Sequence, residues 1–206
     1  MKFLVTLSIA FACLLAGPAH AHGGKHNDAA NGVETRTVNE SKEHTKARAY
    51  FTDTVLKTHD GYNVRFYTDV LEGKTVVISF IFTSCLEACP LINASLQRVQ
   101  DRLGDRIGQD IVFVSITVDP ETDTPSVLRE YRKRFKAGRG WLWLTGDAAS
   151  VEKVSERMGQ VFERDAHLTA LLVGNTRTAR WRKIPAHLSD AVLAAQITDI
   201  ADDNFK

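Results

Sequence analysis

Hydrophobic positions along the chain fall into three regimes. Residues 3–17 run apolar behind Lys2, residues 22–47 carry no apolar period, and from residue 48 onward short apolar segments alternate with polar ones. In this last regime Thr75–Phe82 (TVVISFIF) and Ile111–Val118 (IVFVSITV) are continuous β-branched and aromatic runs, the pattern of strands covered on both faces. Between them Ile92, Leu96, Val99 and Leu103 repeat at helical spacing and form one buried stripe. Strand, helix and strand in this order predict a right-handed parallel crossover. Upstream, Phe51–Lys57 and Tyr62–Tyr67 are strand-like runs around Asp60-Gly61, a hairpin-turn signal. Downstream, Thr124-Pro125 reads as an N-cap followed by the first helical position, with Leu128, Tyr131 and Phe135 on the buried side. Trp141–Leu144 reads as a strand and Asp147–Met158 as a helix. Leu168–Val173 and Ala179–Lys183 read as a hairpin across Gly174-Asn175, and Leu193, Ile197 and Ile200 as the stripe of a last helix. This succession predicts one α/β domain over residues 48–206 with a thioredoxin-like fold: a central mixed sheet flanked by helices, opened by an N-terminal β-hairpin.

The first two regimes are read differently. Lys2, the apolar run Phe3–Gly17 and Pro18-Ala19-His20-Ala21 have the basic, apolar and small-residue succession of a signal peptide, with cleavage expected after Ala21 and export to a bacterial periplasm. The run falls short of the roughly 20 residues that cross a bilayer, so the mature chain is expected to hold no membrane span. No arginine precedes Arg36, which argues against a mitochondrial transit peptide. Residues 22–47 read as a flexible leader, with His22 and His26 as parts of a solvated tail.

Composition narrows the classes further. The chain has 206 residues, 44% hydrophobic and 25% charged, a globular mix with room for one domain and a sizeable core. With 26 Lys+Arg against 25 Asp+Glu no global field draws it to nucleic acid, and none is expected as a partner. The local basic run Arg129, Arg132, Lys133, Arg134, Lys136 and Arg139 reads as a solvated helix face. Removing residues 1–21 takes away Cys13, so the thiols left are Cys85 and Cys89.

Those two carry the chemistry. Cys85-Leu86-Glu87-Ala88-Cys89-Pro90 follows the first central strand and opens the first long helix, where open α/β sheets place their sites. Pro90 suits a first turn, and the helix amino terminus favours thiolate on Cys89 and Cys85. Glu87 opposes thiolate formation by like-charge repulsion and favours a bound cation. Two such thiols can close a disulfide, exchange with a partner's disulfide, or hold a soft metal. The metal reading needs a third donor. Asp119-Pro120 follows the second central strand, on the same edge as Cys85 if the strands are parallel. His167 precedes its strand and reaches that edge only if the strand runs antiparallel; Asp165-Ala166-His167-Leu168-Thr169 puts a histidine where thioredoxins carry a cis-proline. Two thiolates and an imidazole suit Cu(I) and tolerate Cu(II), whereas zinc would want a fourth ligand.

With Cys85-x3-Cys89-Pro90, Thr117-Val-Asp-Pro-Glu-Thr-Asp-Thr-Pro125 and the isolated His167, the chain resembles the Sco/SenC family over about residues 51–183. Members of that family are thioredoxin-fold proteins of the bacterial periplasm or mitochondrial intermembrane space that bind copper and help assemble the dinuclear copper centre of cytochrome c oxidase. The resemblance implies copper ligation by Cys85, Cys89 and His167, with Asp119 beside the site. It also implies a copper-receiving partner, a cytochrome c oxidase subunit. This chain has Leu86 where many members have proline, and Ala166 and Leu168 around His167 where many have aspartate and serine. The expected function is a monomeric copper metallochaperone. The alternative is a thiol-disulfide oxidoreductase that reduces a partner's cysteines through Cys85 and Cys89 before metallation, and a plainer third reading is a disulfide-stapled interaction domain.

Overall fold

The computed structural model describes residues 45–159 and 169–203. The signal-peptide and most of the leader assignments, and His167, lie outside them. Residues 45–51 form a helix, α1, so three residues of the expected leader are helical. The hairpin follows as β1 (Val55–Thr58) and β2 (Asn63–Arg65), with Lys57 opposite Asn63 and Gly61 at φ +87°, a value that glycine adopts without strain. Both strands are shorter than the sequence pattern predicted. Phe51 ends α1, and Phe66 and Tyr67 open a π-helical turn, Phe66–Leu71, whose Phe66, Tyr67, Val70 and Leu71 are all buried. Burial of these side chains overrides their strand propensity.

The crossover is built as predicted. β3 (Thr75–Ile81) and β4 (Ile111–Thr117) pair in parallel through all seven positions, with α2 (Ala88–Leu103) between them. Every residue of both strands is buried, which is why they read as unbroken apolar runs. Then come α3 (Pro125–Lys133), β5 (Trp141–Thr145), α4 (Ala148–Arg157), β6 (Ala170–Asn175), β7 (Arg180–Pro185) and α5 (Asp190–Ala201). Thr124 caps α3 by accepting from the Val127 N–H, with Pro125 at the first helical position. The sheet order is β2-β1-β5-β4-β3-β6-β7, with β5 parallel to β4 and β6 antiparallel to β3. Alternation along β3 divides the core: Val77 and Ile81 pack with α2, α3 and α5, while Val76, Ile78 and Phe80 pack with the π-turn and α4.

The last hairpin differs from its prediction. β6 runs on through Gly174 and Asn175, and the chain turns at residues 176–179 instead. A Cβ on Gly174 would lie 2.2 Å from the ring of Trp181, its cross-strand partner, so this glycine admits an indole rather than making a turn. The Asn175 amide is spent on the carbonyls of Ile200 and Asp203, tying β6 to the end of α5.

His59, at the tip of the first hairpin, has a buried imidazole beside Asp60 and facing Arg132 and Arg129 of α3, while the His59 backbone N–H donates to the Trp143 carbonyl. Burial, with Arg132 next, pushes its pKa below 6.5; Asp60 and the Trp143 carbonyl oppose this, and Arg129 adds to it. The neutral form is therefore the one that folds. Stability is full above the unfolded value of about 6.5 and is lost as pH falls toward the folded value. Melting temperature is expected to drop between pH 7.5 and 5.5 in the parent, and by less in His59→Gln. Equal drops would show that His59 is not the source.

Candidate metal centre

β3 ends at Ile81, and the chain passes through Phe82, Thr83 and Ser84 to reach Cys85. The Cys85 N–H donates to the Phe82 carbonyl at 3.2 Å, which turns the chain back over the sheet edge. α2 then starts with Ala88, so Cys89 and Pro90 stand in its first turn, where proline's missing N–H has no intrahelical carbonyl to lose. This puts the Cys89 N–H 3.3 Å from Cys85 Sγ, to which it donates. Both cysteines are reduced, and the Cys89 thiol donates to Cys85. Cys89 is 4% exposed and packs into the α2 side of the core, whereas Cys85 is partly open and Leu86 is 91% exposed.

The two sulfurs differ in charge preference. Burial pushes the Cys85 thiol up, but the N–H and thiol of Cys89 with the amides of Glu87 and Ala88 outweigh it and leave the pKa lowered. The local amides therefore prevail over the repulsion expected from Glu87. Cys89 is pushed up to about 12 by burial, with its thiol donating to Cys85 and the charges of Cys85 and Asp123 acting in the same direction. This corrects the expectation of a stabilised Cys89 thiolate: the helix terminus serves Cys85, and burial dominates at Cys89.

Because β3 and β4 are parallel, with Ile81 opposite Thr117, Asp119 does reach the edge that carries Cys85. Its backbone shapes the turn there: its N–H donates to Thr117 Oγ1 and its carbonyl accepts from the Thr122 and Asp123 N–H groups. The carboxylate built into the site is Asp123, which the sequence reading did not single out. Fully buried, it accepts from the Thr83 N–H at 3.0 Å, from the Thr83 hydroxyl and from the Thr117 hydroxyl at 2.5 Å, clamping the end of β4 to the segment that leads to Cys85. The same stretch of sequence, TVDPETDTP, held the signal. A second aspartate just ahead of a helix cap, in reach of a threonine ending a buried strand, is placed to accept from both sides.

β6 is antiparallel to β3 and begins at Ala170, at the edge where β3 ends, as a contribution from His167 requires. His167 itself lies outside the described residues, and among those residues no group of three His, Cys, Asp or Glu side chains could hold a metal. What the described part supplies is a pair of soft sulfur donors tied together through the Cys89 N–H on Cys85 Sγ. Along α3 and reaching Thr83, two residues before Cys85, runs a groove of about 570 Å³ lined by Thr83, Ser126, Val127, Glu130, Tyr131 and Arg134. Tyr131 is fixed there by edge-on packing on Phe135 and Trp143, with the Arg134 guanidinium over its ring. Of the basic run on α3, Arg129 pairs with Asp60, Lys133 pairs with Glu130, and Arg132 donates to the carbonyls of Ala137 and Gly138. These contacts fit the structural role read from the sequence.

A family description, SCO1/SenC, matches residues 42–201. The chain belongs to the SCO1/SenC family. The SCO2-like protein of Rickettsia prowazekii (strain Madrid E) is 37% identical over 100 residues, covering 48% of this chain and 47% of that protein. The chain thus spans about half the length of the curated relatives it matches. ScoI of Bradyrhizobium japonicum, solved with copper bound, superposes with a TM-score of 0.60 at 24% identity over 71% of this chain and 96% of that one. BsSco, described as a Sco-family cytochrome c oxidase assembly protein with a disulfide switch, superposes with a TM-score of 0.58 at 20% identity, covering 71% of this chain and 90% of its own. At these identities the likeness is one of fold, and it bears out the thioredoxin-like α/β expectation. Among the described residues of this SCO1/SenC protein no helix is long and apolar enough to cross a membrane.

Proposed function

We propose that this protein is a copper-delivering assembly factor that holds one copper ion on Cys85, Cys89 and His167 and passes it to a cytochrome c oxidase subunit. The carrying observation is the reduced cysteine pair at the start of α2, with Cys89 donating to the Cys85 sulfur, in a SCO1/SenC chain. Two sulfurs and an imidazole form a soft three-donor set that suits Cu(I) and accepts Cu(II). Copper is the cargo. The exposed side of Cys85, beside Leu86 and the groove against α3, is where a receiving thiolate can approach and exchange ligands. We place the protein in the periplasm, processed after Ala21, with residues 48–206 as a monomeric domain; for the copper cargo alone, a copper-bound structure in the same fold supports the reading.

The unequal thiols favour a second activity on the same pair. Cys85 can attack a partner's disulfide and Cys89 can resolve the mixed disulfide, leaving the partner's cysteines reduced for metallation. The two activities fit one sequence of events, since a disulfide between Cys85 and Cys89 has no thiolate to offer copper.

Copper stoichiometry of the reduced protein tests the main reading. One equivalent is expected in the parent, with a thiolate-to-metal absorption band in the Cu(II) form. In His167→Ala affinity is expected to fall at least about tenfold, since even the loss of an outer partner of a metal ligand costs that much. Less than one equivalent in the parent, or an unchanged affinity in His167→Ala, would sink the three-ligand assignment.

A further inference from the structure

Among the described residues the two most exposed large hydrophobic side chains sit at the cysteine pair. Leu86 stands between the cysteines at 91% exposed, and Leu91, two residues past Cys89, is 73% exposed. Val127, which lines the groove along α3, is exposed as well. Folding gains little from any of them, and apolar side chains left open around a reactive group mark a surface that meets another molecule. The charges there have one sign. Residues 82–91 contain Glu87 and no Lys, Arg or His, and residues 118–127 contain Asp119, Glu121 and the buried Asp123, again without a cation. The two stretches lie side by side, since Ile81 is opposite Thr117 and Asp123 accepts from the Thr83 N–H. Glu87 and Glu121 are exposed and Asp119 is half-buried, and none of the three pairs with a cation among the described residues. On α3, Arg129 faces Asp60, Lys133 faces Glu130, and Arg134 lies about 13 Å along the helix from Pro125. The helix starts at this edge are already answered, α2's by the Cys85 sulfur and α3's by the Thr124 cap.

We infer that this edge is a docking face for a protein whose cysteines lie in an apolar surface rimmed by Lys or Arg. Leu86 and Leu91 pack on the apolar centre, and Glu87, Asp119 and Glu121 pair with the basic rim. A second copy of this chain is a poor match, because pairing the face with itself sets carboxylate against carboxylate. Complementary charge speeds encounter and fixes register, which matters where one partner sulfur has to reach Cys85. The inference rests on the proposed reading that a partner's sulfur exchanges at Cys85, and it specifies the surface that brings that sulfur there.

Pentapeptides with a central cysteine, each carried as its 2-pyridyl mixed disulfide, test this on the reduced, metal-free protein: Lys-Leu-Cys-Leu-Lys, Glu-Leu-Cys-Leu-Glu and Lys-Ser-Cys-Ser-Lys. The Cys85 thiolate attacks the peptide sulfur, forming a protein-peptide disulfide and releasing pyridine-2-thione, whose absorbance gives the rate. Each rate is divided by the same peptide's rate with N-acetylcysteine amide, so that the peptide's own reactivity cancels. At low salt the Lys-Leu peptide is expected to react about tenfold faster than the Glu-Leu peptide, a ratio that salt should bring toward one. Glu87→Gln combined with Glu121→Gln should cut it to about threefold. Leu86→Ser combined with Leu91→Ser should slow the Lys-Leu peptide about fivefold and leave the Lys-Ser peptide unchanged. Equal rates for the Lys-Leu and Glu-Leu peptides, a faster Glu-Leu peptide, or leucine variants that slow both lysine peptides alike would each overturn the inference. So would a sedimenting dimer of the parent that Leu86→Ser dissolves, which gives the face to a second copy. Fast but unselective peptides leave exchange at Cys85 standing while this inference falls, and a parent that reacts with no peptide removes both.

Discussion

Asp123→Ala is expected to destabilise the protein by about 3 kcal/mol, because it strands three donors at a buried junction. The Thr83 N–H, Thr83 hydroxyl and Thr117 hydroxyl all end on this one carboxylate, and Asp123 is 0% exposed, so water does not replace it at the surface. Burying a carboxylate is itself costly, and its removal returns part of that cost, which keeps the figure below the sum of three full penalties. Asp123→Asn should be milder. The Thr83 hydroxyl can rotate to accept from the new amide, and the carboxamide oxygen still serves the fixed Thr83 N–H and the Thr117 hydroxyl. Asp119→Ala is the contrast, since the bonds Asp119 makes at the turn come from its backbone. Urea unfolding of the three variants checks the order. An Asp123→Ala midpoint equal to the parent's, or matched by Asp119→Ala, would remove the clamp from the account. Thr83 is two residues from Cys85, so the same loss should loosen the thiol loop, read as faster amide exchange at Cys85 and Cys89 in Asp123→Ala than in Asp123→Asn.

The parts of the molecule that were legible in sequence are those decided by a single repeating pattern. β3 and β4 are buried on both faces and so left continuous apolar runs, and the stripe of α2 and the Thr124-Pro125 cap of α3 each carried a local signature of one element. From them followed the parallel edge that carries Cys85 and Asp119. What escaped depended on distant partners. Phe66 and Tyr67 look like strand residues until the core behind them is known, and Gly174-Asn175 looks like a turn until Trp181 is seen to need the glycine and α5 the asparagine. At the site, the cysteine spacing announced the chemistry, but the inequality of the two thiols depends on how deeply Cys89 sinks into the core, and a motif of alternating types does not record depth.

That inequality sets the largest kinetic effect expected of this protein. In metal-free, reduced protein at pH 7, Cys85 should react with iodoacetamide about a hundredfold faster than Cys89. With Cys85 below the ordinary 9.0 and Cys89 near 12, their thiolate fractions at neutral pH differ by about a thousandfold or more. The more basic thiolate is intrinsically the better nucleophile, which returns roughly a factor of ten to thirty. Burial of Cys89 at 4% exposure works against it again. Single variants separate the two rates. Cys89→Ser leaves Cys85 with the amide donors of Glu87, Ala88 and position 89, so its rate should level off as pH rises past the Cys85 value. Cys85→Ser leaves only the buried thiol, whose slow rate should climb about tenfold per pH unit through pH 10, since thiolate is formed in proportion to hydroxide well below its pKa. The same asymmetry orders disulfide exchange: attack by Cys85 releases one partner thiolate and forms a mixed disulfide, which persists in Cys89→Ser and never accumulates in Cys85→Ser. Equal alkylation rates, or a mixed disulfide trapped through Cys89, would reverse the roles of the two cysteines and with them the direction from which a receiving protein meets the site.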